Sequence, residues 1–261
     1  MSTESVLYQR DMLPYMRLHW QGERAQLWQG DARWLDALGN GSAHLVVTSP
    51  PYWNAKQECA SWPSYEAYLA DMALAWAECF RVLRDGGRIA VNVPDGYGRP
   101  GNGGYRLIGD DTARALQAAG FTLRGKVIWH KGSAVARNSF AWGSWRSASN
   151  PALRDCHEVI LIGHKGAARR AGPATIAKED FLAATVSVWE IQPAHCAWHP
   201  APFPAELARR LMELYSFPGD VILDPFAGTG TTIWEAERAG RSGIGVELRE
   251  EYLNLALEGR Y

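Results

Sequence analysis

Short apolar runs alternate with segments of helical periodicity along most of this chain. Runs rich in aliphatic and β-branched residues predict strands at residues 25–29, 43–47, 88–93, 122–130, 159–162, 221–223 and 243–246. Helical patterns between them predict helices at residues 32–38, 65–83, 105–119, 205–215, 231–239 and 250–257. Because strands and helices alternate, we expect an α/β fold whose mostly parallel sheet is covered by helices on both faces.

The helix predicted at residues 65–83 has recognisable signals at both ends. Ser64 is placed to cap its first turn, and Gly86 and Gly87 are placed to end it. Asp31 is placed in a similar way to cap the short helix that is predicted directly after it.

Two stretches, residues 132–154 and 165–202, show little regular pattern and are too long for plain connections. Loops of this length in a compact domain usually carry function. The chain has 261 residues, a length that suits one large domain with modest insertions. We therefore expect a single domain over residues 1–261, with the irregular stretches as insertions.

The composition is 47% hydrophobic and 21% charged, which is ordinary for a globular protein with a sizeable core. No run approaches the roughly 18 apolar residues of a membrane-spanning helix, so we expect no membrane partner. The four cysteines form no Cys-x-x-Cys pair, which favours a reducing cytoplasm over a disulfide framework. His195, Cys196 and His199 lie close together, but no second ligand pair accompanies them, and we predict no metal site.

Basic residues are concentrated in the middle of the chain. The net charge is −1, but residues 124–170 hold nine of the 27 Lys and Arg residues and two of the 28 Asp and Glu residues. One basic segment on an otherwise acidic body suits contact with phosphates. The alternative is a solvated loop that contacts no phosphate, and the clustering of basic residues on its own favours this alternative.

The strand predicted at residues 43–47 is followed by the segment Thr48-Ser49-Pro50-Pro51-Tyr52-Trp53, at the end where open α/β sheets bind ligands. Consecutive prolines fix φ at about −65° and remove two N–H donors, so the preceding carbonyls are left as acceptors. Two aromatic rings follow and offer faces for stacking. A rigid acceptor beside aromatic planes suits a nucleobase with an exocyclic amine, although a stiff turn packed by its aromatics is an alternative.

Residues 224–232 read Asp-Pro-Phe-Ala-Gly-Thr-Gly-Thr-Thr and predict a strand end, a glycine turn and a helix start. Thr231 or Thr232 is placed to cap this helix. The third glycine of a dinucleotide site and the lysine of a P-loop are both absent. Asp224 would repel a pyrophosphate but suits a cation, and Glu247 ends the next strand, where ribose hydroxyls are bound. S-adenosylmethionine, which carries two cations and a ribose but no phosphate, fits this loop.

Together, the two motifs resemble those of the β-type DNA amino-methyltransferases, in which the catalytic motif precedes the cofactor loop. Gln29-Gly30-Asp31 is similar to the family's Gly-Asp segment, and residues 199–204 are similar to the segment that lines the methionine end of the cofactor pocket. The resemblance covers residues 25–257. It implies a Rossmann-like, circularly permuted methyltransferase fold, with S-adenosylmethionine as cofactor and double-stranded DNA as partner.

The resemblance also implies a role for each matching residue. The catalytic residues are expected to be Ser49, Pro50, Pro51 and Tyr52, with Tyr52 stacking on a base flipped out of the duplex. The residues expected to contact the cofactor are Asp31, Thr48, His199, Asp224, Pro225, Phe226, Ala227, Gly228, Thr229, Gly230, Thr231, Thr232 and Glu247. Those expected to contact DNA, many of them in recognition insertions at about 132–154 and 165–195, are Trp53, Lys131, Arg137, Arg146, Arg154, Arg169 and Arg170.

Within the family, Ser-Pro-Pro-Tyr usually accompanies cytosine-N4 enzymes and Asp-Pro-Pro-Tyr adenine-N6 enzymes, so Ser49 favours cytosine N4. Adenine N6 stays open, as do an RNA or protein substrate and a binding protein without turnover. The mechanism needs no covalent adduct with the base, so Cys59 is interpreted as a loop or packing residue. A cognate restriction endonuclease and a homodimer are compatible partners, and we expect a cytoplasmic protein that associates with the nucleoid when bound to DNA.

Overall fold

In the computed structural model, the residues described are 15–53, 62–99, 104–132, 148–149, 153, 155–173, 175–194 and 203–259. The strands are β1 (Arg17–Gln21), β2 (Ala25–Gln29), β3 (Ala43–Thr48), β4 (Leu83–Val93), β5 (Tyr97–Arg99), β6 (Gly104–Arg106), β7 (Thr122–His130), β8 (His157–His164), β9 (Val188–Glu190), β10 (Val221–Asp224) and β11 (Ser242–Glu247). The helices are α1 (Tyr65–Val82), α2 (Ile108–Ala118), α3 (Lys178–Ala184), α4 (Ala205–Tyr215), α5 (Thr231–Arg238) and α6 (Glu250–Glu258). Of the helices in these ranges, none has both the length and the apolar character that crossing a membrane requires.

One large sheet organises the chain, with strand order β1-β2-β11-β10-β3-β4-β8-β7-β9, and β5 and β6 form a separate hairpin. The strands β2, β11, β10, β3 and β4 run parallel to one another. Antiparallel pairs join β1 to β2, β4 to β8 and β8 to β7, and β9 is parallel to β7 at the edge. The prediction of an α/β fold with a mostly parallel sheet is confirmed.

Helices cover both faces of this sheet. Because side chains alternate between faces along a strand, Val46 of β3 packs with α1 and α2, whereas its neighbours Leu45 and Val47 pack with α4. A smaller apolar cluster joins β2 to α5 and α6. With both faces covered, the ends of the strands are where a ligand can be bound.

The chain changes its direction across the sheet between β3 and β10. From β3 it passes through α1 to β4 on one side, and from β10 it passes through α5 to β11 on the other side. Trp76 of α1 and Ala236 of α5 belong to the core clusters on opposite faces. Such a switch point leaves a crevice at the carboxyl ends of the two strands, where open α/β sheets bind ligands.

The helix predicted at residues 32–38 is wrong, because the structure has turns there. The Leu35 N–H donates to the Glu78 carboxylate of α1 at 2.8 Å. Arg81, also of α1, donates to the carbonyls of Leu35 and Leu38 at 2.8 Å each. Because side chains of α1 satisfy these backbone groups, the segment does not need helical hydrogen bonds.

The helix predicted at residues 65–83 is confirmed together with its cap, since Ser64 Oγ accepts the N–H of Ala67 at 3.2 Å. Gly86 and Gly87 do not end this helix, because they lie inside β4. Gly86 has a φ of +74°, and the register between β3 and β4 shifts at this point. The glycine therefore allows an irregularity within a strand and does not end a helix.

Two further predictions differ from the structure in their extent, and one strand was not predicted. The helix predicted at residues 105–119 begins at Ile108, because β6 pairs with β5 just before it. The stretch at residues 165–202 is less irregular than expected, since α3 and β9 lie within it. The strand β1 was not predicted. The elements β6, α3 and β9 are too short for hydrophobic periodicity to reveal them, and β1 has no buried residue that would give it an apolar face.

Candidate active site

The carboxyl ends of β3 and β10 meet at the switch point and carry the two motifs. β3 ends at Thr48 and β10 ends at Asp224, and the two strands are paired in parallel. The Thr48 hydroxyl donates a hydrogen bond to Asp224 Oδ1 at 2.6 Å, and both residues are buried. One short buried hydrogen bond therefore joins the strand before Ser49 to the strand before the glycine loop.

Asp224 is a buried carboxyl group with a limited set of donors. Its Oδ1 also accepts the Phe226 N–H at 3.1 Å, and the Thr232 side chain hydrogen-bonds to the carboxyl group. Burial raises the pKa of Asp224 to about 6, although the hydrogen bonds from Thr48, Thr232 and Phe226 oppose this rise. The ionised form is therefore disfavoured by its surroundings, and a nearby positive charge would stabilise it.

The glycine loop turns sharply before α5. Gly230 has a φ of +78° and is the N-cap of this helix, which begins at Thr231. The prediction that Thr231 or Thr232 caps the helix is wrong, because Gly230 occupies that position. A Cβ at Gly230 would lie 2.9 Å from Trp234 Nε1, so both the backbone conformation and the space require glycine here.

Glu247 ends β11 and contacts the glycine loop from the neighbouring strand. Its Oε2 accepts the Gly228 N–H and its Oε1 accepts the Arg249 N–H, each at 2.9 Å. Burial raises the pKa of Glu247 above its ordinary value. Each carboxylate oxygen has a further lone pair, so Glu247 can also accept hydrogen bonds from hydroxyl groups.

Asp31 follows β2, whose last residue pairs with Glu247 in the sheet. Its carboxylate accepts the Arg33 N–H at 2.9 Å and contacts the Arg33 guanidinium at 2.6 and 3.0 Å. Arg33 also forms an ion pair with Asp71 at 2.9 Å. Asp31 thus orders a turn beside Glu247 and does not cap a helix, which corrects its predicted structural role.

A hydrogen-bonded network lies behind Ser49. The Tyr52 hydroxyl is 2.8 Å from Ser49 Oγ and donates to Glu158 Oε2 at 3.0 Å. Asn92 Nδ2, near the end of β4, donates to the Tyr52 hydroxyl at 2.9 Å and to Glu158 Oε2 at 2.6 Å. Lys131 forms an ion pair with the other oxygen of Glu158. The network fixes Tyr52 and Ser49 against β4 and β8.

The proton positions in this network follow from the number of donors. Tyr52 has one hydroxyl proton and donates it to Glu158. The Ser49 hydroxyl is therefore the donor in its contact with Tyr52. Its remaining contact is a long one from Asn92 Nδ2 at 3.4 Å, so Ser49 Oγ presents a lone pair to an incoming donor.

Trp53 packs inward rather than standing out from the surface. It is partly buried, and its ring contacts Tyr65 and Tyr68 of α1 at centroid distances of 5.6 and 6.1 Å. In the cofactor loop, the Phe226 ring lies 6.2 Å from the ring of Trp76. The assignment of Trp53 to DNA contact stays a prediction.

The remaining predicted residues of the two motifs divide by exposure. Pro50, Pro225 and Ala227 are buried, and Pro51 and Thr229 are partly exposed. The predicted residues that lie outside the described ranges are His199, Arg137, Arg146 and Arg154, together with Cys59, His195 and Cys196. In the ranges that are described, no group of three or more His, Cys, Asp or Glu side chains is placed to hold a metal ion.

Arg169 and Arg170 are not brought to the candidate active site. Arg170 forms an ion pair with Asp220 at 2.8 Å, directly before β10, and Arg169 lines a cavity beside it. These residues lie at the amino ends of the central strands, whereas Ser49 lies at the carboxyl ends. Lys131, by contrast, joins the network behind Ser49. Contact of Arg169 and Arg170 with DNA stays a prediction.

The polar residues Asn92 and Glu158 were not predicted from the sequence. Both are buried, and Asn92 interrupts the apolar run Ile89-Ala-Val-Asn-Val93, whereas Glu158 directly precedes the apolar run Val159-Ile-Leu-Ile162. A polar side chain at a buried position of a central strand needs a hydrogen-bond partner and often marks a site. That signal was present in the sequence.

Comparison of structures indicates the class of this protein. The fold resembles that of TTHA0409 from Thermus thermophilus, solved in complex with S-adenosyl-L-methionine, with a TM-score of 0.72 and 35% identity over 89% of this chain and 92% of that chain. It also resembles the PvuII DNA methyltransferase (cytosine-N4-specific), with a TM-score of 0.74 and 20% identity over 92% and 87% of the two chains, a likeness of fold alone. The fold and site are those of a methyltransferase that uses S-adenosyl-L-methionine.

Comparison of sequences indicates the family. The N6_N4_Mtase family model, described as DNA methylase, matches residues 43–258. The Type II methyltransferase M.MjaI of Methanocaldococcus jannaschii is 31% identical over 262 residues, which are 84% of this chain and 85% of that protein. The chain spans 27% of the length of the Type II beta methyltransferase M.BslI of Bacillus sp., at 28% identity. The chain belongs to this family of DNA methylases, the N6 and N4 amino-methyltransferases.

Replacement of Asp224 by asparagine tests the raised pKa. Since the pKa of Asp224 is raised from 3.8 to about 6, the native state holds this proton more tightly than the unfolded chain does. The stability that protonation gives is complete below about pH 4 and is lost as the pH rises through about 6. Urea unfolding without cofactor should show the wild type losing about 3 kcal/mol relative to Asp224→Asn over this range. If the free energy of unfolding changed with pH in the same way in both proteins, the raised pKa of Asp224 would be contradicted.

The variant Glu158→Gln tests the network behind Ser49. It should slow methyl transfer to DNA by about 10- to 100-fold, because a neutral amide holds Tyr52 and Asn92 more weakly than a carboxylate does. The affinity for S-adenosyl-L-methionine should stay unchanged, since Glu158 bonds to Tyr52, Asn92 and Lys131, which are not among the predicted cofactor residues.

The matched control for this variant is Glu190→Gln, at an exposed glutamate of the edge strand β9. Single-turnover kinetics and equilibrium binding, with urea unfolding to check stability, separate the two roles. Wild-type turnover in Glu158→Gln, or an equal loss of cofactor affinity, would show that Glu158 does not position the catalytic motif.

Proposed function

We propose that this protein transfers a methyl group from S-adenosyl-L-methionine to the exocyclic N4 amine of a flipped-out cytosine in double-stranded DNA. The observation that carries the proposal is Ser49, a neutral acceptor at the carboxyl end of β3, beside the strand that leads into the glycine loop. Membership of the family supports amino-methylation of DNA. The serine in the catalytic motif supports cytosine rather than adenine.

The residues around the glycine loop fit S-adenosyl-L-methionine. When bound, this cofactor supplies a methyl group on a positively charged sulfonium. We assign Glu247 to the ribose hydroxyls, since its carboxylate can accept further donors, and Asp31 to the adenine amine. Asp224 is assigned to the methionine end, because a nearby cation would stabilise the ionised form of its buried carboxyl group, whose pKa is raised. Thr48, residues 225–232 and His199 complete the proposed set.

Ser49 Oγ and the Pro50 carbonyl are assigned to the two hydrogens of the target amine. An exocyclic amine on cytosine is a poor nucleophile, because its lone pair is delocalised into the ring. Acceptors on both hydrogens favour rehybridisation toward sp³ and aim the lone pair away from the ring plane. Glu158 polarises the Tyr52 hydroxyl, which in turn polarises the Ser49 hydroxyl. Ser49 Oγ therefore becomes a stronger hydrogen-bond acceptor. Positioning of this kind contributes about 7–11 kcal/mol in well-oriented reactions.

Tyr52 is assigned to stack on the flipped base. Extrusion of a base from the duplex costs a few kcal/mol of stacking and pairing. The Tyr52 hydroxyl donates to Glu158 and accepts from Asn92 and Ser49, and these hydrogen bonds hold the Tyr52 ring in one orientation. A ring that is already fixed loses little conformational entropy when a base packs on it, which favours binding of the flipped state.

Lys131 is the described basic residue that we assign to DNA near the target nucleotide, because it joins the Ser49 network through Glu158 and lies 4.5 Å from the centroid of the Trp129 ring. Trp53, Arg137, Arg146, Arg154, Arg169 and Arg170 are assigned to DNA from the family resemblance. Because relatives are named as Type II methyltransferases, we include a cognate restriction endonuclease among the proposed partners. A homodimer and association with the nucleoid in the cytoplasm belong to the same proposal.

Nucleoside analysis of methylated DNA tests the proposed function. The protein is incubated with unmethylated DNA and labelled S-adenosyl-L-methionine, and the digested nucleosides are separated against methylated standards. We expect label in N4-methyldeoxycytidine, reduced about 100-fold in Ser49→Ala because an acceptor for the amine is lost. The matched control is Ser42→Ala, at an exposed serine.

The products distinguish the alternatives. Label in N6-methyldeoxyadenosine would contradict the assignment to cytosine while keeping the activity of the family. Label in RNA but not in DNA when RNA is offered in a parallel incubation, or no transfer at all by a protein that binds the cofactor, would contradict the proposal as a whole. Full activity of Ser49→Ala would show that the serine oxygen is not the acceptor.

A further inference from the structure

A cavity of about 700 Å³ lies near the amino end of β4, whereas the candidate active site lies at the carboxyl ends of the parallel strands. This volume is within the range of small-molecule sites. Its lining comes from the amino end of β4, from β7, from the segment that follows β8, from α3 and from the end of α4 with the residues after it. Arg88 in this lining is four residues along β4 from Asn92, or about 13 Å of extended strand. The cavity is therefore separate from the Ser49 network.

The lining of this cavity is strongly basic. Its charged members among the described residues are Arg88, Arg124, Lys126, Arg169, Arg170 and Glu213. Glu213 is paired with Arg209 at 2.9 Å, and Arg170 is paired with Asp220 at 2.8 Å. In each pair the two charges cancel. The positive charges of the other lining arginines, Arg88, Arg124 and Arg169, are left uncompensated.

Arg88 and Arg124 carry most of this excess charge. Arg88 is 8% exposed, and its guanidinium donates to the main-chain carbonyls of Gly86 and Ala168. Arg124 donates to the same Ala168 carbonyl at 2.9 Å. Within the described residues, neither arginine has a carboxylate partner. Burial, together with Arg124 and Arg170 nearby, lowers the pKa of Arg88, so an anion between the guanidinium groups would relieve an unfavourable arrangement.

Aromatic side chains line the same cavity. Phe181, Tyr215 and Phe217 contribute to its wall, and the Arg170 guanidinium lies 5.3 Å from the centroid of the Phe217 ring. A planar group can pack against such a wall while an attached anion reaches the arginines. Because Arg88 is recessed, a phosphate held on the outside of a rigid DNA duplex cannot approach it. The chemistry therefore favours a small ligand over a nucleic acid backbone.

We propose that this cavity binds a small phosphate monoester that carries an aromatic ring. The phosphate lies beside Arg88 and Arg124, where it accepts from the guanidinium N–H groups that do not donate to the Gly86 and Ala168 carbonyls. The ring packs against Tyr215. This site does not depend on the identity of the methylated base, because it lies near the amino end of β4, away from the candidate active site.

Calorimetric titration with phenyl phosphate at constant ionic strength tests the proposal. This probe has the phosphate and the ring but no resemblance to the cofactor. We expect saturable binding that is at least about tenfold tighter than that of orthophosphate or of phenol. Arg124→Ala should weaken the binding by about tenfold or more, because a charged hydrogen-bond donor is lost. The exposed position of Arg124 makes the variant compatible with the fold.

The matched control is Arg114→Ala, at an exposed arginine of α2 that pairs with Asp111. Methyl transfer and affinity for S-adenosyl-L-methionine should be unchanged in both variants. No saturable binding of phenyl phosphate up to about 10 mM would overturn the proposal. Equal affinity in Arg124→Ala would overturn it as well.

Discussion

The buried hydrogen bond between Thr48 and Asp224 is the constraint on which the rest of the candidate site depends. It joins two strands that the chain reaches far apart in sequence, and each strand leads directly into one of the two motifs. Transfer between two bound molecules requires their alignment to within a fraction of an ångström. A single contact between the last residues of the two strands fixes that alignment before either molecule binds.

This constraint has an electrostatic consequence. Asp224 is buried, the groups that hydrogen-bond to it are neutral, and its pKa is raised to about 6. A cationic cofactor would therefore stabilise the ionised form and strengthen the contact with Thr48. On the other side of the crevice, Glu158 is neutralised by Lys131 and orders Tyr52. A neutral serine acceptor thus stands between two buried carboxyl groups with different partners.

Much of this site was predictable from the sequence, because its two motifs are continuous segments that follow buried strands. Their juxtaposition followed from the alternation of strands and helices, which places parallel strand ends at one edge. Asn92 and Glu158 could each have been noticed as polar residues beside apolar runs, but their network behind Ser49 could not be predicted, since they are distant in sequence and only strand pairing brings them together. The helix expected after Asp31 failed for a similar reason, because Glu78 and Arg81 of α1 supply its backbone partners. Tertiary contacts decide both cases.

The most direct test of the central claim compares Thr48→Val with Thr48→Ser in cofactor binding and in single-turnover methyl transfer. The valine variant keeps the shape of the side chain but removes the donor to Asp224, so both the affinity and the rate should fall by about tenfold. The serine variant keeps the hydroxyl and should retain values close to the wild type. Wild-type affinity and rate in Thr48→Val would contradict the claim that this hydrogen bond aligns the two halves of the site.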